Sequence, residues 1–223
     1  MVDLRLGDCL EVMKTLPPVD TVITDPVWPN SPPGLLSGSE DPAGLLSRAL
    51  HLIECRRLII VLRHDCDPRF LGVVPARWPF FRVQILPYVM PGYIGRKLGG
   101  DELAYCFGEP LPSAPGRRVI PGYAPKVQPD GRMANGHPCS RSLAHFRWLV
   151  NWWSLPQETV LDPFMGSGTT GVACVQMDRN FIGIEIDREY FEIARWRIEE
   201  AQMQPLLPFG KPQARSGEPC TSP

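Results

Sequence analysis

Apolar residues recur along this chain in two kinds of run, short continuous β-branched stretches and longer stretches spaced three and four apart. The first kind reads as buried parallel strand, and the second as helix packed on one face. Residues 4–6 form a short strand ending in Gly7-Asp8-Cys9, and residues 10–16 a helix closed by Pro17-Pro18. The β-branched run 19–24 is a strand that stops at Asp25-Pro26-Val27-Trp28. A loop of Pro, Gly and Ser spans 29–41, long enough to lie over a site. It leads into a helix over 42–55, with Leu45, Leu46, Ala49, Leu52 and Ile53 on one face, and then a third buried strand over 58–62. Beyond residue 63 the pattern weakens. Residues 83–89 and 102–107 read as an antiparallel pair at the sheet edge, with a glycine-rich loop between them that carries Arg96 and Lys97. The Pro- and Gly-rich stretch 109–136 has no period and reads as irregular. A helix over 141–153 runs into a strand over 159–161, a helix over 169–177 and a last apolar run over 181–186. From residue 204 onward the chain is Pro-rich without a core pattern, and a disordered tail over 204–223 is expected.

Strands alternating with helices in this way predict an α/β fold with a mostly parallel sheet of about seven strands, in one domain over residues 1–203. A length of 223 residues suits a single domain with a full core. No apolar run reaches the roughly 18 residues that a membrane span needs. The start, Met1 to Arg5, has neither a basic nor an apolar leader segment, so a cytoplasmic protein is expected. The seven cysteines are scattered without a Cys-x-x-Cys pair. They read as reduced, mostly buried thiols, and no metal site is expected. Net charge is −1 but unevenly placed, since residues 56–150 hold 14 Lys and Arg against 6 Asp and Glu. Such a basic middle suits a polyanion docking on one face, though a solvated surface would also tolerate it.

Candidate chemistry concentrates at two strand ends. The stretch 159–187 runs strand, glycine loop, helix, strand, with Glu185 lying 17 positions beyond Gly168. In a doubly wound sheet that arrangement sets a nucleotide against the loop backbone and gives the acid two ribose hydroxyls. Gly166, Gly168 and Gly171 also satisfy the dinucleotide fingerprint GxGxxG, so the loop alone admits a nicotinamide-type cofactor or a plain turn. Asp25-Pro26-Val27-Trp28, more than a hundred residues upstream, ends a strand on the same sheet edge.

Taken together these residues resemble the DNA amino-methyltransferases, in the circularly permuted group whose catalytic motif precedes its cofactor motif. The order is Asp25-Pro26-Val27-Trp28, then His137-Pro138 with its helix, then Leu161-Asp162-Pro163-Phe164-Met165-Gly166-Ser167-Gly168-Thr169, then Glu185. The likeness spans residues 4–200 and is weakest between 63 and 136. It implies a Rossmann-like domain dependent on S-adenosylmethionine. Asp25 and the Pro26 carbonyl would accept the two N–H bonds of an exocyclic amine, and Trp28 would stack on a flipped base. Val27 stands where the family has a second proline. Phe164, Gly166, Ser167, Gly168 and Thr169 would surround the cofactor and Glu185 would hold its ribose. Asp8 with Cys9 would meet the adenine, with an N-cap role for Asp8 as the structural alternative. The family's Lys-Pro following His137-Pro138 is replaced by Arg141-Ser142, and either Ser140 or Arg141 would reach the cofactor carboxylate. The short target-recognition segment at 109–136 offers Arg117, Arg118, Tyr123, Lys126 and Arg132 to DNA, beside Arg96 and Lys97. Asp at the first catalytic position favours N6 of adenine over N4 of cytosine, in a restriction-modification setting, acting on DNA as a monomer or homodimer. A catalytically silent DNA-binding relative is a further alternative.

Overall fold

The computed structural model describes residues 1–32, 34, 36–89, 93–94, 97–98, 100–114, 119–128 and 141–204. The tail expected beyond residue 204 lies outside them. In chain order the elements are β1 (Val2–Leu6), α1 (Cys9–Val12) with a 3-10 turn at Met13–Thr15, β2 (Val19–Thr24), α2 (Pro42–Leu52) and β3 (Cys55–Arg63). A 3-10 helix at Pro68–Val73 and β4 (Phe80–Leu86) follow, then the small pair β5 (Tyr93–Ile94) and β6 (Lys97–Leu98), and β7 (Glu102–Gly108). The chain closes with α3 (Leu143–Trp153), β8 (Thr159–Asp162), α4 (Thr169–Gln176), β9 (Asn180–Glu185) and α5 (Arg188–Met203).

Seven strands form one sheet in the order β1-β9-β8-β2-β3-β7-β4. The pairs from β1 to β3 are parallel, and β7 runs antiparallel to both β3 and β4. This is the mostly parallel α/β sheet that the alternating pattern predicts, with the antiparallel pair at the expected edge. Central strands read as continuous apolar runs because both faces are covered. On one face Ile23, Ile59, Val160 and Phe181 pack against Phe146, Leu149, Val150 and Trp153 of α3 and against α4 and α5. On the other, Val22, Leu58, Ile60 and Leu62 pack against Leu46, Ala49 and Leu50 of α2 and against Trp28.

Several boundaries move from their expected places. The helix expected to reach residue 55 ends at Leu52, because the Val19 amide bonds to the Glu54 carbonyl at 2.9 Å and Cys55 pairs with Val19 in the sheet. The first helix has a single α-turn and tightens into 3-10 geometry before Leu16 turns extended, as a residue preceding proline must. The edge strand begins at Phe80 rather than 83, with a register shift between Phe80 and Arg82 that lets β4 follow β7 to its end. Helix α5, to which the sequence reading gave no element, is a 16-residue helix capped by the Asp187 side chain. Of the segment expected to be irregular, 109–114 and 119–128 are described, and 119–128 lies along the outer edge of β4. There the Ala124 amide bonds to the Ile85 carbonyl at 2.9 Å, and the Val89 amide to the Val127 carbonyl at 2.8 Å. No described helix is long and apolar enough to cross a membrane.

Candidate active site

Strands β2 and β8 lie side by side in parallel, with Val22 opposite Leu161. From β2 the chain crosses to β3 on one side, and from β8 to β9 on the other. The two departing loops therefore open a crevice between them, the place where open α/β sheets bind ligands. A cavity of about 670 Å³ occupies it, lined by Asp8 and Cys9, by Asp25 to Trp28, by Arg141, by Phe164, Gly166, Ser167 and Thr169, and by Glu185. The two strand-end motifs, with β1 beside them, thus share one chamber. Gly168 stands apart, since its backbone adopts φ +79° to start α4 and turns toward α5. A Cβ there would meet the Cβ of Ala194 at 2.8 Å. Its positive φ makes it a turn that lets the loop sit close on the helix.

The loop is pinned from beneath by Glu185. One carboxylate oxygen accepts the Gly166 amide at 2.8 Å and the other the Asp187 amide at 2.8 Å. The Glu185 carbonyl takes the Gly7 amide at 2.8 Å, so β1 delivers Gly7 and Asp8 beside it. Burial raises the Glu185 carboxyl above its ordinary range. A carboxylate has about four lone-pair directions, so Glu185 can still accept two hydroxyls after these two amides. From α5, Arg197 donates to the Ser167 carbonyl at 2.5 Å, to the Ser167 hydroxyl at 3.0 Å and to the Thr169 hydroxyl at 3.3 Å. Arg197 stood outside the expected site residues, and no motif in the sequence marks it. Asp8 accepts the Leu10 amide at 2.8 Å as the N-cap of α1, and it also lines the cavity.

On the opposite wall, the Asp25 carboxylate is held by two donors. Its Oδ1 accepts the Trp28 indole N–H at 2.7 Å, and its Oδ2 accepts Nε of Arg141 at 2.5 Å. The Arg141 guanidinium lies over the Trp28 ring, 4.0 Å from its centroid, and reaches Oε1 of Glu102 at 3.2 Å. Glu102 accepts the Tyr88 hydroxyl at 3.0 Å. The structure thus sets Arg141, expected at the cofactor, against the acceptor motif. Burial pushes the Asp25 carboxyl up to about 6, against the pull of Arg141 and with a further push from Glu102. Behind it Asp162, 2% exposed, joins the two motifs: its Oδ1 accepts the Thr24 hydroxyl at 2.8 Å and its Oδ2 the Thr170 hydroxyl at 2.6 Å. Burial pushes this carboxyl up to about 7. Neither Glu102, Tyr88 nor Asp162 stood among the expected site residues. Only Asp162 left a signal, as the acid preceding proline in the glycine motif.

Among the described residues, the cations of the basic middle are mostly engaged with the protein itself. Arg57 is buried on Glu158 at 2.6 Å, Arg63 and Arg69 pair with Asp65 and Asp67, and Arg77 donates to the carbonyls of Leu50 and Ile53. The even spread of charge along 56–150 therefore overstates the cation available to a polyanion. Of the expected DNA contacts, Tyr123 and Lys126 are exposed on the segment along β4, outside the cavity lining, and Lys97 lies in β6. Arg96, Arg117, Arg118 and Arg132, and with them Ser140 of the expected cofactor set, lie outside the described residues. Cys9, Cys55 and Cys66 are free thiols that burial pushes up to about 12, 12 and 11. They are far from the thiolate form that a nucleophile needs.

A family of DNA methylases of the N6/N4 kind has a profile that matches residues 75–195, a span that holds the glycine loop and Glu185. The YubD protein of Escherichia coli (strain K12) is 26% identical over 221 residues, covering 88% of this chain and 89% of its own. The type II methyltransferase M2.DpnII of Streptococcus pneumoniae is 58% identical over a shorter stretch of 68 residues, 30% of this chain and 25% of that enzyme. Among solved structures the M1.HpyAVI complex with SAM superposes with a TM-score of 0.69 at 26% identity, over 89% of this chain and 99% of that one.

Proposed function

The chain belongs to the N6/N4 family of DNA methylases, and from that premise we propose that it transfers a methyl group from S-adenosylmethionine to N6 of adenine in DNA. The single observation that carries the reading is the shared chamber, in which Asp25, Pro26 and Trp28 face the glycine loop and Glu185 across the β2–β8 crevice.

The lining suits a nucleoside with a sulfonium tail. Glu185 keeps lone pairs for ribose hydroxyls, Asp8 and Cys9 stand beside it for the adenine, and Phe164, Ser167 and Thr169 border the remaining length. When bound, the cofactor supplies a methyl group on a positively charged sulfur. The protein's own work lies on the acceptor. An exocyclic amine conjugated with a purine ring is a poor nucleophile, because its lone pair is delocalised. Asp25 and the Pro26 carbonyl accept its N–H bonds, favour a tetrahedral nitrogen and aim the lone pair across the crevice. Trp28 offers its face to the flipped base. The rate gain is then one of orientation and of charge placed in advance. No side chain becomes a covalent intermediate, which agrees with thiols held far from thiolate. Adenine is preferred over cytosine because Asp, rather than Ser, opens the acceptor motif.

Incubation with unmethylated duplex DNA and methyl-labelled S-adenosylmethionine, followed by digestion to nucleosides, tests this. Label on adenosine is the expected result. Label on cytidine would move the target to N4, and retained DNA binding without label would make the chain a silent relative with Val27 as its altered position. Asp25→Ala is expected to abolish transfer while leaving cofactor affinity within about threefold, because Asp25 lies on the acceptor wall. Loss of both would show that its role has been misassigned.

A further inference from the structure

Arg141 has no expected place on the acceptor wall, yet it makes there both contacts assigned to the substrate. Asp25 is the acceptor for an N–H of the target amine, and its Oδ2 is taken by Arg141 Nε at 2.5 Å. Trp28 is the stacking face for the target base, and the planar guanidinium lies 4.0 Å from its centroid. A guanidinium is a flat, delocalised array of N–H donors that stacks on aromatic faces, the same recognition chemistry that an aminopurine edge and ring present. A base stacked on that face of Trp28 excludes the guanidinium from it, and the N–H that the base brings to Asp25 competes with Arg141 for Oδ2.

We propose that Arg141 is a placeholder for the target base: it keeps the acceptor site assembled when no base is bound and leaves Asp25 and Trp28 when the flipped base enters. This rests on the reading of Asp25 and Trp28 given above. Two further contacts fit an exchangeable group. Arg141 stays tethered to Glu102 at 3.2 Å, and Glu102 is itself held by the Tyr88 hydroxyl at 3.0 Å, so a second carboxylate stands ready beside Asp25 to keep the displaced cation. Arg141 also precedes α3, on a connection rather than within an element.

The exchange has a chemical consequence. Transfer breaks the S–CH₃ bond, whose electron pair stays on sulfur as a neutral thioether, and forms the N–CH₃ bond from the nitrogen lone pair. The nitrogen then carries an extra proton and sheds it. Asp25 stripped of its guanidinium is a stronger base than Asp25 paired with it, so the departure of Arg141 readies the carboxylate to take that proton. Among the described residues, the charged and titratable groups around Asp25 are Arg141 before α3, Glu102 on β7, Asp162 at the end of β8 and the Cys66 thiol, with Arg63 of β3 5.4 Å from the centre of the Trp28 ring. Arg141 is the cation bonded directly to its carboxylate.

The test is the pH dependence of methyl transfer to unmethylated bacteriophage DNA, comparing the wild-type chain with Arg141→Gln and Arg141→Lys. The acidic limb of kcat/KM reports the free enzyme and that of kcat the bound complex. If Arg141 leaves on base binding, Arg141→Gln raises the acidic limb of kcat/KM by on the order of one pH unit, the effect of losing an adjacent opposite charge. The limb of kcat stays where the wild type has it. Arg141→Lys, which keeps the charge and loses the plane, is expected to return the kcat/KM limb toward wild type, and circular dichroism checks that both variants fold. Equal shifts in both limbs would mean that Arg141 remains on Asp25 throughout and would overturn the proposal, as would shifts in neither. Transfer that survived Asp25→Ala would overturn instead the reading of Asp25 on which the proposal stands.

Discussion

At the scale of single residues, the site is governed by carboxyls kept in places that disfavour their charge. Asp162 is the clearest, pushed up to about 7 from an ordinary value of 3.8 by burial between Thr24 and Thr170. The folded protein therefore binds a proton there more tightly than the unfolded chain does. Stability from this group is greatest below the unfolded value and falls as pH rises through the interval from about 4 to about 7. Asp162→Asn keeps the acceptor facing Thr24 and presents an amide to the Thr170 hydroxyl, which can turn to accept it. In that variant the difference in Tm between pH 5 and pH 8 should shrink, whereas an undiminished difference would place the titrating group elsewhere. The sequence showed the types of residue at the strand ends but not their partners. Asp25 and Glu185 were legible because each stands at the end of a β-branched run, and Trp28 because it closes the motif that Asp25 opens. Arg141 was assigned to the cofactor because the family's pattern puts a cation near that place in the chain. Which wall of the crevice a side chain chooses depends on contacts such as Glu102, which a sequence pattern does not contain.

At the scale of elements, the strands were legible where burial on both faces makes them continuous, and less so at their ends. Helix α5 escaped notice because its buried positions, Ala194, Ile198 and Ala201, are few and small, set among charged residues that face solvent. That smallness has a purpose, since Gly168 and Gly171 approach α5 so closely that a Cβ on Gly171 would stand 2.4 Å from Ile198. The helix in turn returns Arg197 to the loop. Arg197→Ala removes a charged donor from the Ser167 carbonyl and from the Ser167 and Thr169 hydroxyls. A loss of about 1.5 kcal/mol for such a bond corresponds to roughly tenfold weaker cofactor binding, measurable by titration calorimetry. An unchanged affinity would assign Arg197 to fold stability alone.

At the scale of the whole molecule, the antiparallel extension from β3 through β7 to β4 carries the segment 119–128 along its edge, away from the crevice lining. What the charge pattern suggested as a basic face is in good part internal wiring. Arg57, on Glu158 and on the Thr21 hydroxyl, ties β3 and β2 to the approach to β8. Its replacement by alanine is expected to cost about 2 kcal/mol, somewhat under the ~3–5 typical of a broken buried pair because Glu158 keeps some contact with solvent. The urea midpoint of unfolding would show it, and a midpoint equal to that of the wild type would make the pair energetically idle.

The adjacency of β2 and β8 also bears on how the protein is made. Thr24 and Asp162, bonded across the crevice, are separated by 138 positions. A nascent chain that has emerged only as far as β7 owns the acceptor motif and Asp8, but neither the glycine loop nor Glu185. Donor and acceptor meet only when the last third of the chain has left the ribosome and β8 has slotted between β2 and β9. Until that late step of sheet closure the two halves of the crevice do not face each other.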